Sequence, residues 1–360
     1  MVDQPTRQIT LAQVAQAAGV SPATASRALH GGDRIVGDEL RARVVQAARR
    51  LRYVPNAHAQ ALANRARATV GLVMHDVSDP YFAAITRGAM EVAAAHGALV
   101  MLGSTFRSPD REIEYVSTFR SQRAQAILIV GSGFSDPDYL DAMRAELFQH
   151  RDVGGRYAFV SHHDLPGDAV LPDNAAGGAA VARSLLELGH RRFAVAAGPP
   201  TLTTVEHRVA GFVSAIDEAG LPRSAVHVVE REFSENGGRD AAHALVRGGL
   251  DATALFCVSD VMAIGALTAL REQGVSVPHD LSLIGFDDIP VMRHLCPATS
   301  SVRLDLEGMG REAMRLVLGD PSSDELGADG DSVEEAVDPR RVHFPAEVVL
   351  RASTTAPTRR

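Results

Sequence analysis

Near the N-terminus, apolar positions recur at helical spacing in short bursts. In "ITLAQVAQAAGVSPATASRALHGG" the first burst puts Val14, Ala15 and Ala18 on one side, and the second puts Ala25 and Leu29 inward. Thr10 is placed to cap the first helix and Gly19 to make the turn. Ser21 caps the second helix, with Pro22 at its first position, where a missing N–H is no loss. Gly31-Gly32 ends it. A third helix over about 38–52 has Leu40, Val44, Ala47 and Leu51 as its stripe and is closed by Tyr53 and Pro55. The pattern predicts a helix-turn-helix head over 1–55, with Thr24, Ser26 and Arg27 left for the outer face.

From residue 67 the period changes. Apolar runs "TVGLVM", "ALVMLGS", "AILIVGS", "YAFVS", "RFAVAAG", "AVHVV", "ALFCVS" and "LSLIGFD" alternate with helical stretches, most of them 15–25 residues long. Strands that are apolar throughout belong to parallel sheets covered on both faces. There are too many of them for one small sheet, so two doubly wound α/β subdomains are expected. Ligands in such folds sit at the carboxyl ends of strands. Polar residues gather there in "HDVSDPYF", "GPPTLTT", "VSD" and "FDD".

Charge changes the picture. The net −8 hides a head, 1–66, with nine Arg against four acids, so that the remainder carries −13. A basic head on an acidic body suits a polyanionic partner, although a solvated helix face would give the same count. Cys257 and Cys296 both stand in apolar surroundings and are expected to be buried thiols. No apolar run reaches membrane-spanning length and no signal-peptide core is visible, so a cytoplasmic protein is expected, with no membrane partner.

Enzyme chemistry finds no foothold. "GSGFSD" is half of a dinucleotide fingerprint, and no Gly-rich phosphate loop or Ser-His-Asp arrangement can be placed. His162-His163-Asp164 are adjacent, and adjacent side chains diverge along a strand, so no metal and no cofactor are expected.

"TLAQVAQAAGVSPATASRALHG" followed by "YVPNAHAQALA" closely resembles the head of the lactose-repressor (LacI/GalR) family. The resemblance implies a hinge helix at 56–66, with DNA contacts from Asn56, Leu62 and Ala63 and with Leu62 wedged into the minor groove. Leu62 is the only large apolar group of this segment, and about eleven residues make a marginal helix in water, so it should need its symmetry mate and the groove. An Ala-rich linker with Leu62 packed on the body is the other reading. Within the second helix, Ser21, Pro22, Ala23, Thr24, Ser26 and Arg27 face DNA. Thr24 and Ser26 suit phosphate, Ala23 a thymine methyl, and Arg27 a guanine edge.

"VGLVMHDVSDPYFAAITRGA", "DNAAGGAAVARSLLELGHRRFAVAAGP", "RVAGFVSAI", "ALFCVSDVMAIGAL" and "LSLIGFDDIP" follow in that family's order, so the resemblance covers nearly the whole chain. It implies two subdomains of periplasmic-binding-protein type, 67–162 with 293–340 and 163–292 with 341–360, with crossings near 162, 292 and 340. It also implies effector contacts from Tyr81, Phe82, Arg208, Ser259, Asp260 and Asp287, with Asp173 and Phe233 as weaker matches. His162 or His163 stands where many sugar-binding members have Asp, and Leu202 where purine-binding members have Arg. Arg, Asp and aromatic faces suit a sugar or related polyol. An ordinary Arg208–Asp287 ion pair and core packing of Tyr81 and Phe82 remain alternatives.

Residues 320–341 hold eight acids against two Arg and read as a mobile surface insertion. The tail "TAPTRR" has no leucine heptad, so a homodimer rather than a coiled-coil tetramer is expected. The resulting expectation is a ligand-responsive repressor of double-stranded operator DNA. The alternatives are a solute-binding protein of the same body fold and a corepressor-dependent regulator sensing a nucleoside or another metabolite.

Overall fold

The structure is a computed structural model describing residues 9–30, 37–51, 53, 68–319 and 338–358. The chain divides into two compact units, Met1–Arg67 and Ala68–Arg360.

The first unit contains α1 (Leu11–Ala18), α2 (Pro22–His30) and α3 (Asp38–Arg50). Thr10 and Gln13 form a reciprocal capping box on α1, and Gly19 ends that helix with φ +64°, a left-handed conformation that glycine adopts without strain. Val14, Ala15, Ala18, Ala25, Ala28, Val44, Ala47 and Ala48 make the core. Ala28 takes the deep place expected for Leu29, which is only half-buried. A core built mostly from alanine lets three short helices approach closely.

The second unit opens with β1 (Thr69–Met74), α4 (Pro80–Ala95), β2 (Leu99–Ser104), α5 (Pro109–Ser121), β3 (Ala126–Val130), α6 (Pro137–Asp152), β4 (Arg156–Val160) and β5 (Asp168–Pro172). Three of its helices start alike. Asp79, Ser108 and Asp136 cap α4, α5 and α6, each followed by proline. The chain continues through α7 (Asn174–Glu187), β6 (Phe193–Ala197), α8 (Thr203–Glu218), β7 (Val226–Glu230), α9 (Glu235–Arg247), β8 (Ala254–Cys257), α10 (Asp260–Glu272) and β9 (Ser282–Ile284). It ends with β10 (Ser301–Arg303), α11 (Leu306–Leu318), β11 (Arg341–Phe344) and β12 (Glu347–Val349).

Two parallel sheets result. One has the order β11-β5-β4-β3-β1-β2 and the other β7-β6-β8-β9, while β10 and β12 pair antiparallel. All eight apolar runs are strands. Central β3, β6 and β8 are buried at every residue, as parallel strands covered on both faces must be.

The crossings differ from the expected positions. β5 and β11 lie in the first sheet, and α11 packs on α4, so the chain crosses near 173, 304 and 345 rather than 162, 292 and 340. β5 is inconspicuous in the sequence because "DAVLP" holds only three apolar residues before its proline. Cys257 is buried but Cys296 is exposed, in a short turn before Pro297. Residues 320–337 of the acidic segment lie outside the described residues. Within its remainder, Arg340 pairs with Asp168 at 3.1 Å and Arg341 opens β11, so this end is part of the sheet. No helix among the described residues is long and apolar enough to cross a membrane.

Candidate functional site

In the head, Ser21 Oγ accepts the Thr24 N–H at 3.1 Å and lies 2.8 Å from Thr24 Oγ1. Pro22 and Ala23 are exposed, whereas Thr24, Ser26 and Arg27 are half-buried. Arg27 Nε donates back to the Ala23 carbonyl at 3.1 Å, leaving both terminal nitrogens without a described partner. Arg43 Nη2 donates to the Ala18 carbonyl at 2.6 Å and ties α3 to the negative end of α1. Asn56, Leu62 and Ala63 lie outside the described residues.

In the body, a cleft opens between the carboxyl ends of the two sheets. From the first come His75, Asp79, Tyr81 and Phe82 after β1, Arg107 after β2, and Gly131 and Ser132 after β3. From the second come Leu202, Thr204 and Arg208 at α8, Phe233 after β7, and Asp287 after β9. The remaining cavity is about 30 Å³, room for a water or two.

Helix packing sets the central pair. Gly178 of α7 and Gly211 of α8 face each other's helix so closely that a Cβ would fall 2.1 Å from the Arg208 carbonyl and 2.0 Å from the Ala175 carbonyl. This close crossing sinks Arg208, 2% exposed, beside α7. Its Nε donates to Asn174 Oδ1 at 2.9 Å, its Nη1 to the Val258 carbonyl at 2.6 Å, and its Nη2 to Asp287 Oδ1 at 2.8 Å. The guanidinium lies 3.7 Å over the Phe286 ring. Asp287 is held at φ +112° and Asp288 at +52°, a strained pair of the kind found at ligand sites. Burial pushes the Asp287 carboxyl up to about 7 against the pull of Arg208. Its neighbour Asp288 faces Arg351 at 2.6 Å and Arg303 at 3.0 Å, anchoring the turn to the crossing strands.

Across the cleft, Tyr81 and Phe82 meet edge to face, with centroids 5.0 Å apart. Burial raises the Tyr81 hydroxyl and the Asp79 carboxyl. Behind them, buried Glu112 lies 3.6 Å from His75 Nε2 and accepts the Tyr139 hydroxyl at 2.6 Å. The Thr204 N–H donates to Ser132 Oγ at 3.0 Å, linking the two subdomains at the cleft wall.

Tyr81, Phe82, Arg208, Phe233 and Asp287 therefore line one cleft. Four other residues expected there do not. Ser259 Oγ accepts the Met262 N–H and caps α10. Asp260 accepts the Ser301 hydroxyl at 2.6 Å and the Ile289 N–H at 2.8 Å, in full burial that raises its carboxyl well above the usual range. Asp173 pairs with His343 at 3.0 Å. His162 meets His207 edge on at 4.6 Å, and the adjacent His163 stacks on Phe159. The sequence reading missed His75, Asp79, Arg107, Ser132 and Thr204 as cleft residues. His75 and Asp79 stand in the quoted "HDVSDPYF", Thr204 closes "GPPTLTT" and Ser132 closes "AILIVGS", whereas Arg107 joins the cleft only through the fold. Among the described residues, no group of three or more His, Cys, Asp or Glu is placed to hold a metal ion.

Comparison with known proteins agrees with this architecture. Residues 10–56 match the model of the bacterial regulatory proteins of the lacI family, and residues 182–354 match a periplasmic binding protein-like domain. The transcriptional regulator GalS of Salmonella typhimurium is 34% identical over 86% of this chain and 89% of its own. The transcriptional repressor CytR of Escherichia coli is 30% identical over 96% of both chains. The solved complex of the regulator CelR with cellobiose is 28% identical, covers 96% of this chain and 100% of its own, and superposes with a TM-score of 0.66. With a helix-turn-helix head, a two-sheet body and relatives matched along nearly its full length, the chain belongs to the lacI family of bacterial regulatory proteins, the DNA-binding transcriptional regulators.

Proposed function

We propose that the protein is a repressor that binds a palindromic operator as a homodimer and is controlled by a sugar or related polyol in the cleft. The observation that carries this reading is the buried Arg208–Asp287 pair, 2.8 Å apart, facing Tyr81 and Phe82 across the cleft. Vicinal hydroxyls can accept from one group and donate to the other, while the aromatic rings cover the apolar side of a pyranose. The cellobiose complex of CelR supports the same class of ligand.

Dimerisation is supported by large apolar side chains left exposed in the first subdomain. Val77, Met90 on α4, and Leu99 and Leu102 on edge strand β2 are 57%, 48%, 59% and 48% exposed. Each head then places Pro22–Leu29 in the major groove of one half-site. Arg27 reads guanine, Thr24 and Ser26 hold phosphate, and the hinge contributes Asn56, Leu62 and Ala63. Acting on the chromosome places the protein in the cytoplasm. A ligand that changes closure of the cleft changes the spacing of the two hinges, with a coupling of about 1–3 kcal/mol typical of such devices.

A thermal-shift screen of sugars, polyols and nucleosides on the full chain tests the ligand class, because a ligand of the folded state raises its stability by mass action. Asp287→Ala should keep operator affinity and abolish release by whichever compound scores. A normal response in that variant would remove Asp287 from the site.

A further inference from the structure

We propose that the groove between α8 and β7 is a second small-molecule site, which takes a primary amine with an apolar body. It lies on a different face of α8 from the cleft and does not depend on the cleft being a sugar site.

The groove measures about 440 Å³, and Val205, Val209 and Val213 of α8 line it together with Val228 of β7. Pockets that hold small molecules typically enclose about 300–1,000 Å³. The cleft itself keeps only about 30 Å³. The three helix valines recur every fourth residue and so share one face of α8. Thr204 and Arg208 occupy another face, which lines the cleft, and Gly211 meets α7. β7 is the edge strand of its sheet, and among the described residues it pairs with β6 alone. Val205 and Val213 are buried, whereas Val209 and Val228 are half-buried, so the floor between helix and edge strand is apolar and open.

The rim decides the ligand class. α8 starts beyond the carboxyl end of β6 and runs back against the direction of the strands. Glu206 in its first turn and Glu230 at the end of β7 therefore stand at the same end of the groove. Asp217 and Arg223 stand at the other end, where their charges offset each other. No described residue bonds or pairs with the carboxylate of Glu206 or of Glu230. Arg231, next in the chain, donates to the Glu230 carbonyl at 2.7 Å instead. Two exposed carboxylates thus crown one end of an apolar floor.

A phosphate or carboxylate on the ligand would be repelled at that end. A neutral apolar molecule would cover the valines and gain nothing from the rim. An ammonium brings three N–H donors and the opposite charge, and charge-assisted bonds of this kind are the stronger ones. An exposed ion pair alone is worth little in water, so a hydrocarbon body laid on the valines must supply most of the affinity. One charged end suffices, because the far end is balanced. The same helix carries Arg208, so a molecule seated here bears on the element that positions the Arg208–Asp287 pair.

The test is thermal unfolding of the full chain as wild type, Glu206→Gln and Ala210→Leu. Ala210 is exposed on the groove wall, so a leucine there fills the groove without entering the core. Each protein is measured alone and with millimolar phenethylamine, cyclohexylmethylamine, 2-phenylethanol or phenylacetate. Either amine should raise the wild-type Tm by about 2 °C, because a ligand of the folded state stabilises it by mass action. That rise should shrink in Glu206→Gln and vanish in Ala210→Leu, while the alcohol and the carboxylate give none. Should Ala210→Leu fail to fold, Glu206→Gln decides, since it changes only exposed atoms. Silence of both amines on wild type overturns the proposal. An equal rise in every folded protein overturns the location, and a rise with 2-phenylethanol or phenylacetate as large as with the amines overturns the ligand class.

Discussion

Arg27 and His163 show how differently single residues are committed here. Arg27 has its Nε turned back to Ala23, its terminal nitrogens have no partner among the described residues, and its proposed role is to read the two acceptors of a guanine edge. Arg27→Ala should therefore relax preference at one base pair per half-site by about 1–3 kcal/mol and leave the other positions intact. Competition binding against single-base operator variants measures this, and an unchanged preference at every position would free Arg27 from base reading. His163 is the opposite case. It is 9% exposed, stacks on Phe159 with centroids 4.6 Å apart, and leaves Nε2 without a partner. Burial lowers its pKa to about 4, so the folded protein holds it neutral. The unfolded chain takes up the proton first, near pH 6.5, so this contribution to stability is present above that pH and lost as pH falls toward 4. Between pH 7.5 and 5 the loss from this group should be about 2 kcal/mol. Urea unfolding of wild type and His163→Asn at both pH values checks it, since the variant should lose correspondingly less.

At the scale of elements, the crossing of α7 and α8 positions the cleft. Gly211→Ala would place a methyl 2.0 Å from the Ala175 carbonyl, a backbone contact that no side-chain shift relieves. The helices must separate, which should cost about 1–3 kcal/mol and loosen the Arg208–Asn174 bond. Chemical denaturation reads the first effect, and a variant as stable as wild type would contradict the close-packing account. The elements themselves were largely legible, because fully apolar runs such as "AILIV" have no other stable environment than a covered parallel sheet. β5 and β11 were less so, since short strands with charged or proline ends resemble loops. Tyr81, Phe82, Arg208, Phe233 and Asp287 were legible as a site because they stand in motifs that could be matched. Ser259 and Asp260 stand in such a motif too, yet they serve the cap of α10 and the turn at Ile289, a division of labour that spacing does not encode. Arg107 has no motif at all. Its place depends on two left-handed residues and on Phe233 arriving from another sheet.

At the scale of the whole molecule, a basic head and an acidic two-sheet body with a ligand cleft make up the proposed ligand-controlled repressor. Two copies bring two heads to DNA related by a twofold axis, so the preferred site should be an inverted repeat whose half-sites lie about one helical turn apart. On the proposed hinge role of Leu62, the central step should carry a further preference, because unstacking is easiest at a pyrimidine–purine junction. The most direct measurement is selection of binding sites from random duplex DNA by the full-length protein, sequenced after several rounds. The predicted result is a palindromic consensus with a flexible central step, whose enrichment changes when a sugar that stabilises the protein is present. Recovery of no common sequence, or of an asymmetric site bound by a single head and indifferent to every sugar tested, would contradict it.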